Sequence, residues 1–549
     1  MVGIPSSRVN SIREPVSSEG LGGFNPLPDG INTPICIPHL IHCLRNYPNS
    51  LERGFVIQGL CEGFDIGFSG RMSDTRPCNA QSARDNRDGV VEAINTELQR
   101  GHTSGPFADP PFTITHVSPL GAVPKPDGSV RLILDLSSPR GSSVNDGIAP
   151  EDFACRYSKF DDAVDLVRHL GAGSFLGKLD IQHAFRLCPV RRDQWPLLCY
   201  RWEGSFFVDT RLPFGGRSSP FIFNTLANVL CWIFIVVGGV EFLIHYLDDY
   251  FLAHITHGFC FRDMHRVIDL CQHLGVPLAP GKIIGPVQRI VYLGIEIDTL
   301  AMSTSLPPDK LEKFHRMVNS LHQKKKVIKR ELLSLIGLLS FVSKVVKPGR
   351  MFLRRLIDLS TTVTSLNFYV TLNSEARADL AWLRDFLHEW NGVAIIPQAP
   401  VSSAELELYT DASDLGFGCV YGTQWFYAAW ERGWGETSIN AREAFAIWAA
   451  VCVWGVDWRD AQVVIHTDSE VNTHVWKTGS CRDRDLMRVI RAMFMFAARH
   501  NISITLLHIP GKHNVLADCL SRFQVKKFRR AHPTAAPLPM VIPPEIWMV

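Results

Sequence analysis

The sequence predicts a multidomain α/β (α+β) chain. Three observations carry that expectation: a length that needs several cores, strand-like runs interleaved with helical patterns over the first three hundred residues, and a second αβ unit with several strands before its first helix. At 549 residues the chain calls for three or four compact units. Hydrophobic residues make up 46% and charged residues 20%, a globular balance that excludes wholesale disorder. The net charge of +2 gives no global argument for a polyanionic partner, so local charge has to carry it. The 14 cysteines are dispersed without a C-x-x-C pair. This excludes a disulfide scaffold or zinc knuckle and fits a reducing cytoplasmic or nuclear compartment. Met1 to Gly30 is polar and rich in Ser, Gly and Pro, so no secretory signal is expected. Val229 to Val240 ends at Glu241, too short a run to span a bilayer, and reads as a buried helix.

Residues 1–85 read as a leader followed by an irregular segment, because Gly59, Gly63, Gly67 and Gly70 interrupt the apolar residues. Val90 to Arg100 has a helical pattern. A Pro-rich connection, Gly105 to Pro111, then leads into a strand, Phe112 to Val117. Two runs between Val123 and Leu136 flank Lys125-Pro126-Asp127-Gly128, which predicts a hairpin presenting Lys125 and Arg131. Such cations suit phosphates, and an ordinary surface hairpin is the alternative. A helix from Phe160 to Leu170, a strand from Ser174 to Asp180 and a helix from His183 follow. Asp180, at a strand end, is either a ligand or a turn residue. Ser218-Ser219-Pro220 predicts a helix start with Ser as N-cap. The loop before it, Leu212-Pro213-Phe214-Gly215-Gly216, suits close approach of a base or phosphate.

Tyr246-Leu247-Asp248-Asp249 lies between the apolar runs Phe242-Leu243-Ile244 and Tyr250-Phe251-Leu252. Adjacent carboxylates at an apolar hairpin tip repel, and a divalent cation removes that cost; a solvated Asp-Asp turn is the other reading. Pro307 to Leu359 is helical and basic, with Lys324-Lys325-Lys326, Lys329-Arg330, Lys344, Lys347, Arg350 and Arg354-Arg355. These either track a phosphate backbone or form solvated helix faces. An amphipathic helix, Ser374 to Trp390, and a linker, Pro397 to Ser403, precede the second αβ unit. That unit has strands Glu405 to Asp411, Gly416 to Tyr421, Val463 to Thr467 and Ile502 to His508, with helices at Ala441 to Trp454 and after Asp468.

Ser118-Pro119-Leu120-Gly121 through Ser143-Val144-Asn145-Asp146-Gly147, Lys178-Leu179-Asp180-Ile181, Leu212-Pro213-Phe214-Gly215 and the Asp248-Asp249 hairpin occur in order. Over residues 90–525 the chain resembles a retrotransposon reverse transcriptase joined to an RNase H domain. The DIRS type is the best match, and gypsy-type elements share several motifs. The resemblance implies a leader at 1–89, a right-hand polymerase palm and fingers at 90–300, and a helical thumb or connection at 301–400. An RNase H-like mixed-sheet domain at 401–525 and a polar tail at 526–549 complete it.

The resemblance also implies RNA-directed DNA synthesis with degradation of RNA in RNA–DNA hybrids. Asp180 and Asp248 would bridge two Mg²⁺ ions, or Mn²⁺, with Asp249 in support. Lys125 and Arg131 would grip the dNTP triphosphate, Phe185 would exclude a 2′-hydroxyl, and Phe214 and Gly215 would contact nucleotide and template. Lys282 would protonate pyrophosphate, and Tyr292-Leu293-Gly294 would form the primer grip. Asp411, Glu443, Asp468 and Asp518 would hold two further ions in the RNase H domain, with His513 or Lys512 assisting product release. Glu443 also fits a helix capping box, and Asp468 and Asp518 also fit helix caps. RNA template, DNA primer and a separate recombinase or integrase are the implied partners. A degenerate nucleic-acid-binding product is the rival reading, and the presence of all seven acids weighs against it.

Overall fold

The computed structural model describes residues 23–549 except 126–127, 346–349, 390–391, 397–407, 432, 460, 480 and 482. Its architecture is α/β, in two compact units. One holds the described residues up to Ala163 with Phe175–Val287; the other holds Val164–Ser174 with Gln288–Val549.

The first unit is organised by a four-stranded antiparallel sheet in the order Leu243–Tyr246, Asp249–His254, Phe175–Asp180, Ile284–Val287. Tyr250 to Ala253 are all buried, the near-continuous apolar run expected of a strand covered on both faces. The helices Ser219–Trp232 and His257–Leu274 pack against this sheet. Thr256 caps the latter by accepting from the Phe259 amide, and Gly275 ends it in the left-handed region at φ 69°. A Cβ on Gly275 would stand 2.1 Å from the Pro34 carbonyl oxygen, so packing as well as conformation requires glycine there.

A buried polar knot ties three elements of this unit. The Arg186 guanidinium lies 2.9 Å from Glu97 on the helix Arg87–Gln99 and 2.8 Å from Asp209 on the strand Ser205–Asp209. Thr103 donates to Asp209 at 2.5 Å, and His102 stands 3.1 Å from Glu97. Burial pushes the Glu97 carboxyl up, but Arg186 and His102 outweigh it and hold it at about 2.

The second unit contains a four-stranded sheet, Arg289–Tyr292, Ile295–Asp298, Ser303–Ser305 and Val393–Ile395. Leu293 and Gly294, both at positive φ, make the tight turn between its first two strands. The helices Pro308–His322, Lys329–Val342, Arg350–Ser360 and Ser374–Glu389 follow. Of the basic residues there, Lys324 pairs with Glu331, Arg354 with Asp358, and Arg355 with Glu375 and Asp379, while Lys325, Lys326, Arg330 and Lys344 are exposed. Lys347, the Arg350 side chain and the expected linker at 397–403 lie outside the described residues. The five-stranded sheet runs Gln424–Ala429, Gly416–Tyr421, Leu408–Ala412, Gln462–Thr467, Ser503–His508. Its first three strands are antiparallel and the last two join in parallel, which makes it a mixed sheet.

Several expectations are corrected. The segment read as irregular forms the helices Ile37–Cys43 and Ser50–Glu62, whose Leu40, Val56 and Leu60 enter the first unit's core. The second helix hid because Gly59 sits inside it; a Cβ there would fall 2.2 Å from the Phe64 ring. The connection at 105–111 contributes to an edge strand, Thr103–Phe107, whereas Phe112 to Val117 makes only isolated bridges. Pro106 fits because an edge strand does not need every amide. Beyond His183 the chain makes a short 3-10 turn, Ala184–Leu187, in place of a helix. Ser218 is the N-cap of the helix Ser219–Trp232 as expected, but its side chain makes no cap bond. The helical part of the apolar run ends at Val237, with Val236 and Val237 exposed, whereas Val240 beyond it is buried. Together with residues 219–228 it makes a stretch long enough to cross a membrane by length and composition, as does Ile439–Trp458, and 56% and 72% of their apolar windows are buried in the fold. The helix Arg484–Arg499 went unread.

The polar tail folds as well. Phe528 and Ile546 are fully buried, Trp448 donates to the Ile546 carbonyl at 3.0 Å, and Trp425 donates to the Ala536 carbonyl at 2.8 Å. Widely spaced anchors with no period gave the sequence no sign of this.

Arg186→Met should lower the unfolding free energy by about 3–5 kcal/mol in urea denaturation, because it leaves the buried Asp209 carboxylate without a counter-charge and strips Glu97 of its nearest cation. The Glu97 carboxyl is lower in the folded chain than its ordinary 4.5, so its contribution is complete above that value and disappears as pH falls toward 2. Stability measured across that window should drop in the parent and stay flatter in Arg186→Met.

Candidate metal centres and nucleotide cleft

The first acidic cluster is assembled by strand register. Asp180 ends its strand directly opposite Asp249, the first residue of the next strand. The two-residue tip between Tyr246 and Asp249 places Leu247 at φ 53°, a strained conformation for a branched side chain. That strain is supported. The Asp248 carbonyl accepts from the Ile181 amide at 2.9 Å. The buried His245 ring lies 3.2 Å from the Leu247 carbonyl and 2.9 Å from Asn228 Oδ1. Lys282 Nζ donates to Asp180 Oδ2 at 2.7 Å.

Burial pushes both tip carboxyls up. Asp180 adds to the rise at Asp248, where Lys282 and Arg131 oppose it. Asp249 reaches about 6; Lys178 holds it down, and Asp180 and Asp248 push it further up. Asp249 Oδ1 is buried without a hydrogen-bond partner. Hard carboxylate oxygens, one of them unsatisfied, are the donor type a divalent cation such as Mg²⁺ or Mn²⁺ takes, although Asp180, Asp248 and Asp249 do not bring three ligand oxygens within 4.8 Å of one another as Asp411, Glu443 and Asp468 do.

Aromatic rings line up near these acids. Phe185 packs 5.1 Å from Phe214 and 5.7 Å from Phe223, and the Arg131 guanidinium lies 5.1 Å from the Phe214 ring centre. Gly215 has φ 117°, and a Cβ there would fall 2.0 Å from the Leu134 carbonyl oxygen. Asn145 fixes the same loop, donating to the Gly215 carbonyl at 2.9 Å and accepting from the Arg217 amide at 2.8 Å. Lys125 is exposed beside the hairpin turn, and its charge acts on His183. Pro126 and Asp127 of that turn lie outside the described residues.

The second cluster stands in the mixed sheet. Asp411 is the penultimate residue of the central strand Leu408–Ala412, Asp468 follows the strand Gln462–Thr467, and Glu443 projects from the helix Ile439–Trp454. One ligand oxygen from each of the three lies within 4.8 Å of the others. Glu443 Oε2 and Asp468 Oδ1 are buried without partners, so this donor set also fits a divalent cation. Burial pushes Asp411 to about 7 against its hydrogen bond from Ser521, and it drives Glu443 up with help from Asp411 and Asp468.

The structure decides the cap alternatives. Ser438 caps the helix of Glu443 and Ser469 caps the helix after Asp468, each by accepting a backbone amide. Asp518 lies within the helix Val515–Ser521, paired with Arg522 at 2.7 Å, and is not one of the three clustered acids. Lys512 and His513 are both exposed on the turn Gly511–His513. A Cβ on Gly511 would stand 3.3 Å from Asp468 Oδ2, so this turn runs along the cluster.

Lys178, His245, Asn145 and Ser521 were not singled out from sequence. Lys178 had a signal, two residues before Asp180 and therefore on the same strand face. The other three join their sites through contacts distant in sequence or through backbone, which no local pattern displays.

No family model matches the chain. Among curated proteins it is 22% identical over 238 residues to the Pro-Pol polyprotein of simian foamy virus type 1, covering 42% of this chain and 19% of that one. It is 20% identical over 382 residues to the enzymatic polyprotein of figwort mosaic virus, covering 65% and 52%. To the Transposon Tf2-3 polyprotein of Schizosaccharomyces pombe it is 20% identical over 460 residues, covering 79% and 31%. Its relatives are thus viral and transposon polyproteins, and the chain spans between about a fifth and a half of their length. Among solved structures, a foamy viral protease-reverse transcriptase in complex with double-stranded DNA aligns at a TM-score of 0.48 with 16% identity, covering 88% of this chain and 84% of that one. The same kind of protein in complex with an RNA/DNA hybrid aligns at 0.45 with 15% identity, covering 88% and 64%.

Because the Asp249 carboxyl is higher in the folded chain than its ordinary 3.8, its ionisation costs stability as pH rises from that value through about 6. Asp249→Asn should therefore raise the metal-free unfolding free energy by about 1–2 kcal/mol at pH 8, after discounting for partial exposure. At pH 4 it should change it little. Urea melts in chelator at the two pH values check this.

Proposed function

We propose that the chain is an RNA-directed DNA polymerase with RNase H activity on RNA–DNA hybrids, in which residues 90–300 copy and residues 401–525 degrade. The observation that carries this reading is the trio Asp411, Glu443 and Asp468, whose ligand oxygens lie within 4.8 Å of one another with two of them buried and unpartnered, beside a second acidic site where strand register sets Asp180 opposite Asp249 and Asp249 Oδ1 is buried without a partner. Relatives that are retroelement polyproteins support it.

Asp180, Asp248 and Asp249 would hold two Mg²⁺ or Mn²⁺ ions in one site, and Asp411, Glu443 and Asp468, with Asp518 at the rim, would hold two in the other. When bound, such ions lower the pKa of the attacking hydroxyl or water and neutralise charge on the reacting phosphate. Lys125 and Arg131 supply charge-assisted hydrogen bonds to the triphosphate of an incoming dNTP. Phe214 and Gly215 form a surface for the base and sugar, and Phe185 beneath them selects against a 2′-hydroxyl. Lys282 pairs with Asp180 and is placed to deliver a proton to departing pyrophosphate. The exposed Lys325, Lys326, Arg330 and Lys344 suit backbone contacts that read shape and not sequence. His513 or Lys512 would assist release of cleaved RNA. The free cysteines among the described residues suit the reducing cytoplasm or nucleus.

Primer extension on an RNA template in Mg²⁺ tests the polymerase. Asp248→Asn should lower it by about 100-fold or more, and a parent chain that extends no primer would favour a nucleic-acid binder without catalysis. Asp468→Asn should stop cleavage of a labelled hybrid and leave extension intact; joint loss of both activities would contradict two separate centres.

A further inference from the structure

Ser521 ends the helix Val515–Ser521 with its side chain fully buried. Its hydroxyl stands 2.5 Å from Asp411 Oδ2 and 3.0 Å from the Asp518 carbonyl oxygen. The second contact is the ordinary way a helical serine bonds back along its own helix. The first is shorter and reaches a carboxylate on a strand 110 residues away in sequence. A hydroxyl has one proton to give, and the ionised acceptor is the stronger one.

The surroundings reinforce this grip. The Ser521 carbonyl accepts from Ser413 Oγ at 2.8 Å, two residues beyond Asp411. Asn514, from the start of the same helix, donates to Asp411 Oδ1 at 3.3 Å and to the Thr410 carbonyl at 2.9 Å. Both ends of the helix that carries Asp518 are therefore fastened to the strand that carries Asp411. Each Asp411 oxygen keeps a lone pair beyond its protein donor, on a carboxylate that lies within 4.8 Å of Glu443 and Asp468.

We infer that Ser521 is a positioning residue of the hybrid-cleaving centre. It fixes the Asp411 carboxylate for metal binding and holds the helix of Asp518 in register with it. The inference rests on the RNase H reading of this cluster. Outer-shell donors to metal-ligating carboxylates typically control metal affinity by about 10–100-fold.

The test uses the full chain carrying Asp180→Asn, Asp248→Asn and Asp249→Asn, which removes the other acidic cluster, with Mn²⁺ binding measured by calorimetry. Adding Ser521→Ala should weaken Mn²⁺ binding by about 10-fold while the metal-free melting temperature stays close to that of the background. Ser521→Cys, similar in volume but a poor donor, should weaken it similarly and guards against a packing defect in the alanine variant. In the otherwise intact chain, Ser521→Ala should raise the Mg²⁺ concentration for half-maximal hybrid cleavage by a similar factor, leaving KM for the hybrid and primer extension unchanged. Parental Mn²⁺ affinity in either variant overturns the role given to Ser521. Serine-dependent Mn²⁺ binding by a parent chain that cleaves no hybrid supports the positioning role and refutes the RNase H reading alone. No Mn²⁺ binding in the background chain overturns both.

Discussion

Carboxylates crowded into half-dry pockets are the constraint on which the rest of this structure depends. Two like charges at a few ångströms repel strongly once water is excluded, and an unpaired ionised group pays heavily for burial. The Asp249 carboxyl pushed to about 6 and the Asp411 carboxyl pushed to about 7 register that cost directly. A fold that relaxed freely would turn these side chains outward. Here each is held in place by elements whose own stability comes from large apolar cores.

The holding is done differently in the two clusters. In the first unit, antiparallel register sets Asp180 opposite Asp249, and the strained turn at Leu247 is supported by His245 and by the Ile181 amide. Lys282 supplies a countercharge, compact and on a flexible stem. In the second unit neutral donors take that part. Ser521 and Asn514 hold Asp411 from one helix, while Ser438 and Ser469 cap neighbouring helices and leave Glu443 and Asp468 for other work.

Much of the frame was legible because regular periods and turn residues are local. The hairpin around Gly128, the tip at Leu247-Asp248 and four of the five strands of the mixed sheet, all but Gln424–Ala429, follow from alternation and turn chemistry. Segments without a period were missed. The helix Ser50–Glu62 contains a glycine where the Phe64 ring comes close, the strand Thr103–Phe107 contains a proline, and the last residues anchor through isolated Phe528 and Ile546. In each case long-range packing outweighed local preference.

By itself the sequence determined the elements that carry a regular period, the tight turns between them and the acids they bear, since these depend on neighbours along the chain. Which oxygens face one another was decided only by tertiary structure. Strand register brought Asp180 to Asp249, and a helix from the far end of the chain brought Ser521 to Asp411. The same packing left Asp518 beside Arg522 outside the clustered trio. Distances of this kind span a hundred residues of sequence or come from backbone geometry, and no pattern of residue types encodes them before the cores have formed.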